Sequence, residues 1–204
     1  MNAAIPIAVS ARHAHLRQAT LDVLFGPGYV LQVKAPLSQP GQFSAIETID
    51  LVGPRGRLEH VRVMGPPRDA DQIELSRSDE VLLGIDAPLR VSGDLASTPG
   101  IELVGPAGRV RLDHGVVTPV RHLHMSPEDA QRFGVHESER VHVAVDSDGR
   151  DVIFADVVVR VSPQFRLELH LDTDEGNAAG VCQGATARLV ERSTDGPVPR
   201  NVIS

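Results

Sequence analysis

Apolar residues recur along the chain in short runs rather than in long helical stripes. Ile5 to Val9 and Val116 to Val120 are apolar runs of strand length. From Val141 to Val161 apolar and polar positions alternate, as in an antiparallel strand pair with one buried face. Two further pairs are predicted, Thr48 to Val52 with Leu58 to Val63, and Ile101 to Val104 with Val110 to Leu112. Both are joined through a repeated Leu-Val-Gly-Pro-x-Gly, a hairpin signature to which no function is assigned. Helix-like stretches run from Gln18 to Phe25, ending at Gly26, and from Ser126 to Phe133, ending at Gly134. The second is well marked: Ser126 suits the N-cap, Pro127 the first helical position, Asp129 the capping-box position and Gly134 the C-terminal stop. After about Leu189 the periodicity fades, and residues 191–204 read as a flexible tail.

The chain has 204 residues, enough for one large domain or two small ones. Aromatics are 3% and tryptophan is absent, so the core must be built from Val, Leu, Ile and Ala. With 18 Gly and 15 Pro, these Val-rich segments imply short strands joined by tight turns, a mainly β (α+β) fold. The formal net charge of -7 argues against nucleic-acid and anionic-membrane partners, which need a basic surface. Any anion the protein handles must be held by a local basic cluster. Cys182 is the one cysteine, which excludes an intramolecular disulfide and a cysteine-rich zinc site, and nothing in its spacing makes it a ligand. Met1 to Ser10 lacks a basic start and a long apolar run, and no stretch approaches the ~18 apolar residues of a membrane span. A soluble, cytoplasmic protein is expected.

Nine histidines occur, four of them in two His-x-His pairs. Val9-Ser10-Ala11-Arg12-His13-Ala14-His15-Leu16 matches Pro119-Val120-Arg121-His122-Leu123-His124-Met125, each pair lying between a strand-like run and a helix-like one. On a strand, the imidazoles of His-x-His share a face roughly 6.5–7 Å apart and can converge on one ion. Two side chains hold a metal weakly, so each pair needs a further ligand. Ile73-Glu74-Leu75-Ser76-Arg77-Ser78-Asp79-Glu80 resembles Leu169-His170-Leu171-Asp172-Thr173-Asp174-Glu175 when one gap is allowed, setting Glu74 opposite His170. The two expected metal sites are His13, His15, Glu74 and His122, His124, His170. Three ligands each leave open positions, as a catalytic metal requires. A single His-x-His is more often a surface or hydrogen-bonding pair; two copies in a duplicated frame, each preceded by Arg, favour ligation. His60, His114, His136 and His142 stand singly and read as structural. Arg12, Arg62, Arg68 and Arg121 lie near the expected ligands, where a planar guanidinium can take a phosphate.

Five ordered motifs make the chain resemble the PduL-type phosphate propanoyltransferases, phosphotransacylases associated with propanediol utilisation. They are Ser10 to Leu16, Leu37 to Phe43, Gly65 to Arg68 with Glu74 to Ser76, Arg121 to Asp129, and His170 to Glu175 with Asn177 to Ala179. The resemblance implies two zinc ions per chain, one on His13, His15 and Glu74 meeting the coenzyme A sulfur, the other on His122, His124 and His170. It implies that Arg68 binds phosphate and that Ser10, Arg62, His170 and Asn177 line the coenzyme A site, with Lys34 added if the loop alignment is right. The implied fold is two small pseudo-symmetric β-barrels with short helices. One would comprise residues 1–11 and 119–190, the other residues 12–118 with an inserted loop at 34–46. With the first motif beginning by residue 10, no N-terminal microcompartment-targeting extension is expected.

The implied reaction interconverts acyl-CoA plus phosphate with acyl phosphate plus coenzyme A, on short chains such as propanoyl or acetyl. No nucleophile motif of the Gly-x-Ser-x-Gly or Cys-His kind occurs, so a ternary complex is expected rather than an acyl-enzyme. Two rivals stay open at this point: a binuclear metallohydrolase acting through activated water, and a non-catalytic zinc-binding protein. The acyl chain and the assembly, a homodimer among the options, are not read from the sequence.

Overall fold

The structure, a computed structural model, describes residues 3–181 and 184–190. Cys182 and the expected tail, 191–204, lie outside the described residues. The first half of the chain supplies β1 (Ile5–Ser10), β2 (His13–His15), α1 (Gln18–Phe25), β3 (Val33–Pro36), β4 (Phe43–Val52) and β5 (Arg57–Gly65). It continues with β6 (Gln72–Glu74), α2 (Arg77–Leu83), β7 (Leu89–Arg90), β8 (Ile101–Val104), β9 (Arg109–Leu112) and β10 (Val116–Pro119). The second half adds β11 (His122–Met125), α3 (Pro127–Phe133), β12 (Arg140–Val145), β13 (Val152–Val161), β14 (Glu168–Asp172), α4 (Thr173–Ala178) and β15 (Thr186–Val190). Among the described residues no helix is long and apolar enough to cross a membrane.

Six strands close a barrel in the order β1-β14-β11-β13-β12-β15, and β15 returns to β1. The other nine form a curled, open sheet ordered β7-β10-β6-β2-β5-β4-β8-β9, with β3 beside β4. The fold is mainly β, with four short helices among the described residues, as the sequence implies, but the halves differ in closure. The open sheet guards its ends: β7 is two residues long, and β9 carries Arg109 and Arg111, both exposed. Short or charged edges resist pairing with a second chain. Each half has its own core, Leu21, Ile49, Leu51, Ile73 and Leu103 in one and Ile5, Leu123, Val143, Val159 and Leu169 in the other.

The chain changes halves twice. β1 lies in the barrel and β2, two residues later, in the open sheet; β10 lies in the open sheet and β11, two residues later, in the barrel. Each His-x-His is thus a short strand of its own just past a crossover, rather than a bare junction between strand and helix. Segment 34–46, read above as a loop, contains most of β3 and the start of β4, paired antiparallel, which leaves 37–42 as the true loop.

The repeated Leu-Val-Gly-Pro-x-Gly forms the two expected hairpins, β4 with β5 and β8 with β9. The structure explains its glycines. Each turn docks on the C-terminal end of a helix, where Arg55 N–H donates to the Leu83 carbonyl at 3.0 Å and Ala107 N–H to that of Leu24 at 2.9 Å. A Cβ on Gly53 would sit 2.3 Å from the Leu83 oxygen, and one on Gly105 2.4 Å from the Leu24 oxygen. The turns therefore satisfy helix-end carbonyls that would otherwise lack partners.

Candidate active site

The register of the short strands builds the site. β2 runs between β5, parallel, and β6, antiparallel, with His13 opposite Glu74. β11 runs between β13, parallel, and β14, antiparallel, with His122 opposite His170. Directly opposed residues of an antiparallel pair share a face about 4.5–5.5 Å apart, so the third side chain is delivered to the first histidine by register alone. Two groups result, His13 with His15 and Glu74, and His122 with His124 and His170; within each, one nitrogen or oxygen per residue lies within 4.8 Å of the others. The imidazole pairs stand at 4.9 and 4.7 Å between ring centroids.

The surroundings keep His15, His122 and His124 neutral. Burial is the main force holding His15 down to about 2, followed by the charge of His13 and then Arg68. Burial likewise lowers His124 to about 2, with His122, His170 and Arg160 adding to it, and His122 to about 4. Neutral imidazole is the form that ligates a metal. Burial would raise Glu74, but its facing imidazoles His13 and His15, with His122 and Arg68, outweigh that and hold it ionised. His13 Nδ1 lies 2.9 Å from the Ala11 carbonyl and His122 Nδ1 2.9 Å from that of Val120, which turns each Nε2 inward. His15 Nδ1 and His124 Nδ1 are buried without a hydrogen-bond partner among the described residues. Orphaned ring nitrogens in a set of five imidazoles and a carboxylate fit metal ligation, and the donor set suits zinc.

Residues two positions before each third side chain complete the arrangement, and sequence reading passed over both. Gln72 donates from Nε2 to Glu74 at 2.6 Å, and Glu168 accepts from His170 Nε2 at 2.7 Å. The period of two along a strand was the signal that could have found them. Glu168 is tied in turn to the 37–42 loop: Ser38 and Gln39 donate to it at 2.6 and 3.1 Å, and Gln39 also bonds the backbone of Arg166. The loop from one half thereby reaches across to the barrel.

The proposed alignment of the two third-ligand segments needs no gap. Ser76 caps α2 and Asp172 caps α4, and each helix closes a capping box with its third residue, Asp79 or Glu175. Those two acids hold the arginines before the His-x-His pairs: Arg12 to Asp79 at 2.7 Å and Arg121 to Glu175 at 2.8 Å. Arg62 donates to the carbonyls of Ala45 and Ile46. Among the described residues the Arg68 side chain makes only a 3.3 Å hydrogen bond to Ser92. Three residues before it, Gly65 packs against the Phe43 ring, which a Cβ would meet at 2.1 Å.

One cavity of about 630 Å³ joins the halves and is lined by all six members of the two groups. Ser10, Arg62 and Arg68 also line it. Lys34, exposed on β3, and Asn177, exposed on α4, are not among the lining residues. His60, His114 and His136 are exposed and away from the site, and His142 faces β15.

Residues 6–182 match the family model described as phosphate propanoyltransferase. The chain is 50% identical to the phosphate propanoyltransferase of Salmonella typhimurium, covering 91% of this chain and 89% of that one. Identity is 48% with the proteins of the same name from Shewanella putrefaciens (91% and 88% covered) and Thermotoga maritima (92% and 89% covered). With that identity and coverage, the chain belongs to the phosphate propanoyltransferase family.

Proposed function

We propose that the chain is a phosphate acyltransferase that interconverts acyl-CoA plus phosphate with acyl phosphate plus coenzyme A, on short chains such as propanoyl, with two zinc ions. The observation that carries this reading is the pair of three-residue groups facing one cavity beside Arg68. His13, His15 and Glu74 would hold one ion and His122, His124 and His170 the other. When bound, zinc supplies Lewis acidity toward the thioester and a ligand position for the departing thiolate.

The chain's own residues do the rest. A phosphate oxygen forms a bond to the thioester carbonyl carbon, the C–S bond breaks, and its electron pair leaves on the coenzyme A sulfur. Phosphate is a weak nucleophile, so orientation matters most, and the Arg68 guanidinium can hold it with two parallel hydrogen bonds. Burial lowers the Arg68 pKa from its usual value, but a guanidinium stays charged in a protein. Ser10 and Arg62, on the cavity wall, are placed to meet coenzyme A, and Lys34 and Asn177 would contribute from its exposed rim. The division into a barrel unit of 1–11 with 119–190 and a sheet unit of 12–118 fits two half-sites meeting at a shared cavity.

Coenzyme A release from propanoyl-CoA, followed with and without inorganic phosphate, tests the function. Release that requires phosphate and yields acyl phosphate is expected. Release at the same rate without phosphate would make the protein a hydrolase and sink the proposal. Elemental analysis of active protein purified without chelator should find about two zinc per chain, the number of three-ligand sets.

A further inference from the structure

Five arginines line the cavity: Arg12, Arg62, Arg68, Arg121 and Arg160. Three are engaged by the protein. Arg12 and Arg121 hold the capping-box acids of α2 and α4, and Arg62 holds two backbone carbonyls. Arg68 and Arg160 are different, since neither forms an ion pair among the described residues.

These two come from opposite halves. Arg68 follows β5 in the open-sheet half, and its charge is felt at His15 and Glu74. Arg160 lies on β13 in the barrel, in register with His124, and its charge is felt at His122, at His124 and at Arg68 itself. The Arg160 guanidinium lies 5.6 Å from the centre of the Phe165 ring, which in turn stacks on His124 at 4.2 Å. Phe165 thus fixes the guanidinium relative to the second group of ligands. Neither cation is ion-paired among the described residues; the Glu74 charge favours Arg68 while Arg160 opposes it, and an anion held between the two guanidinia offsets that repulsion.

We propose that Arg160 is a second phosphate-holding residue, taking one oxygen of the attacking phosphate while Arg68 takes another, so that each half contributes one arginine to the same anion. This rests on the acyltransferase reading. The two guanidinia then orient the free phosphate oxygen toward the thioester carbon and, in the reverse direction, hold the phosphoryl group of the acyl phosphate. Neither arginine gains or loses a proton in the step.

The test compares the wild-type enzyme with Arg160→Ala, Arg160→Gln and Arg160→Lys in steady-state assays with propanoyl-CoA and phosphate. Phosphate binding to each protein is also measured directly by titration calorimetry. Arg160→Ala and Arg160→Gln should raise the phosphate KM by ~10-fold or more and weaken phosphate binding in parallel, as loss of a charge-assisted contact requires. The KM for propanoyl-CoA should move less than ~2-fold, and Arg160→Lys should recover only part of the loss because the planar fork is gone. Combining Arg160→Ala with Arg68→Ala should cost less than the product of the single effects, because both act on one anion. Should Arg160→Ala not fold, as judged by its thermal transition, the isosteric Gln and Lys variants carry the comparison. An unchanged phosphate KM in a folded variant overturns the inference, and so does a rise confined to the propanoyl-CoA KM, which would assign Arg160 to coenzyme A. Wild-type coenzyme A release independent of phosphate would instead overturn the acyltransferase reading itself.

Discussion

In the open sheet the third member of the histidine group is Glu74, which receives an amide hydrogen bond from Gln72 at 2.6 Å. In the barrel the third member is His170, which gives one to Glu168 at 2.7 Å. The backbone frame is the same: first histidine opposite third residue, supporting residue two positions earlier, helix N-cap two residues later. Only the chemistry is exchanged, and it is exchanged in pairs. A carboxylate ligand comes with an amide donor behind it, and an imidazole ligand with a carboxylate acceptor behind it. Each half therefore has one carboxylate in its ligand-and-support pair, placed on the ligand in one half and behind it in the other. Outer partners of this kind fix a ligand's orientation and tune its basicity.

The strongest way to break the comparison is to remove a ligand from each half. Under the proposed function, Glu74→Ala and His122→Ala should each lower the rate by at least ~1,000-fold, while bound zinc falls from about two to about one per chain. Circular dichroism should stay native, because an open catalytic site contributes more to chemistry than to folding. Loss of the fold in either variant would mark that site as structural. Next in size is Arg68→Ala, expected to lower the phosphate-dependent rate ~100-fold, about 2.7 kcal/mol of transition-state stabilisation, with metal content unchanged. Near-normal activity at subsaturating phosphate would place the anion elsewhere.

The paired exchange can be probed directly. Glu74→His alone, measured by competition with a zinc chelator, should weaken the open-sheet site. Adding Gln72→Glu, which recreates the barrel's pairing, should restore affinity by ~10-fold or more. If the double variant binds no better than the single one, the supporting residues are incidental. A smaller effect separates the two crossover arginines. Asp79, the partner of Arg12, has a side chain only 1% exposed, whereas Glu175, the partner of Arg121, is 17% exposed. Arg12→Ala should therefore cost ~1–3 kcal/mol in denaturant unfolding, and Arg121→Ala less, since a more deeply buried carboxylate is left behind in the first. Equal costs would mean that burial does not distinguish them.

The smallest effect concerns Gly176, inside α4, where a Cβ would stand 2.9 Å from both methyl groups of Val9. In a Val9→Ala background, Gly176→Ala should raise stability by ~0.5–1 kcal/mol, the helix penalty of glycine. In the wild-type background the gain should shrink or vanish. An equal gain in both would show that Val9 does not oppose the methyl.

The two His-x-His pairs and their third partners could be read from the sequence because strand periodicity is local and the frame is repeated. The α3 helix was legible for the same reason, with Ser126 and Pro127 adjacent to it. α1 has no such local signal. Its Arg17 N-cap makes no side-chain cap bond, and the start of the helix is held by Asp71, more than fifty residues away, which accepts from Arg17 N–H at 2.8 Å and Thr20 Oγ at 2.7 Å. Arg160 was missed because it becomes visible only when β13 is laid beside β11; its sequence neighbours are valines of an ordinary strand. The difference in closure was equally hidden, since it depends on which edges meet rather than on any strand's composition. The resemblance supplied the exchange of β1 into the barrel; periodicity alone did not.

That exchange sets an order of events for the newly made chain. The pairing of Ala8 with His170 joins residues far apart along the chain, whereas the strands of the open sheet lie within residues 13–119. The sheet can form while the rest is still being synthesised, but the barrel lacks one of its staves until residues near 190 emerge. Ile5 and Ile7 must wait, apolar and unpaired, for most of translation. Closing so long a loop is slow, and the interval leaves a sticky amino-terminal strand available to neighbouring chains.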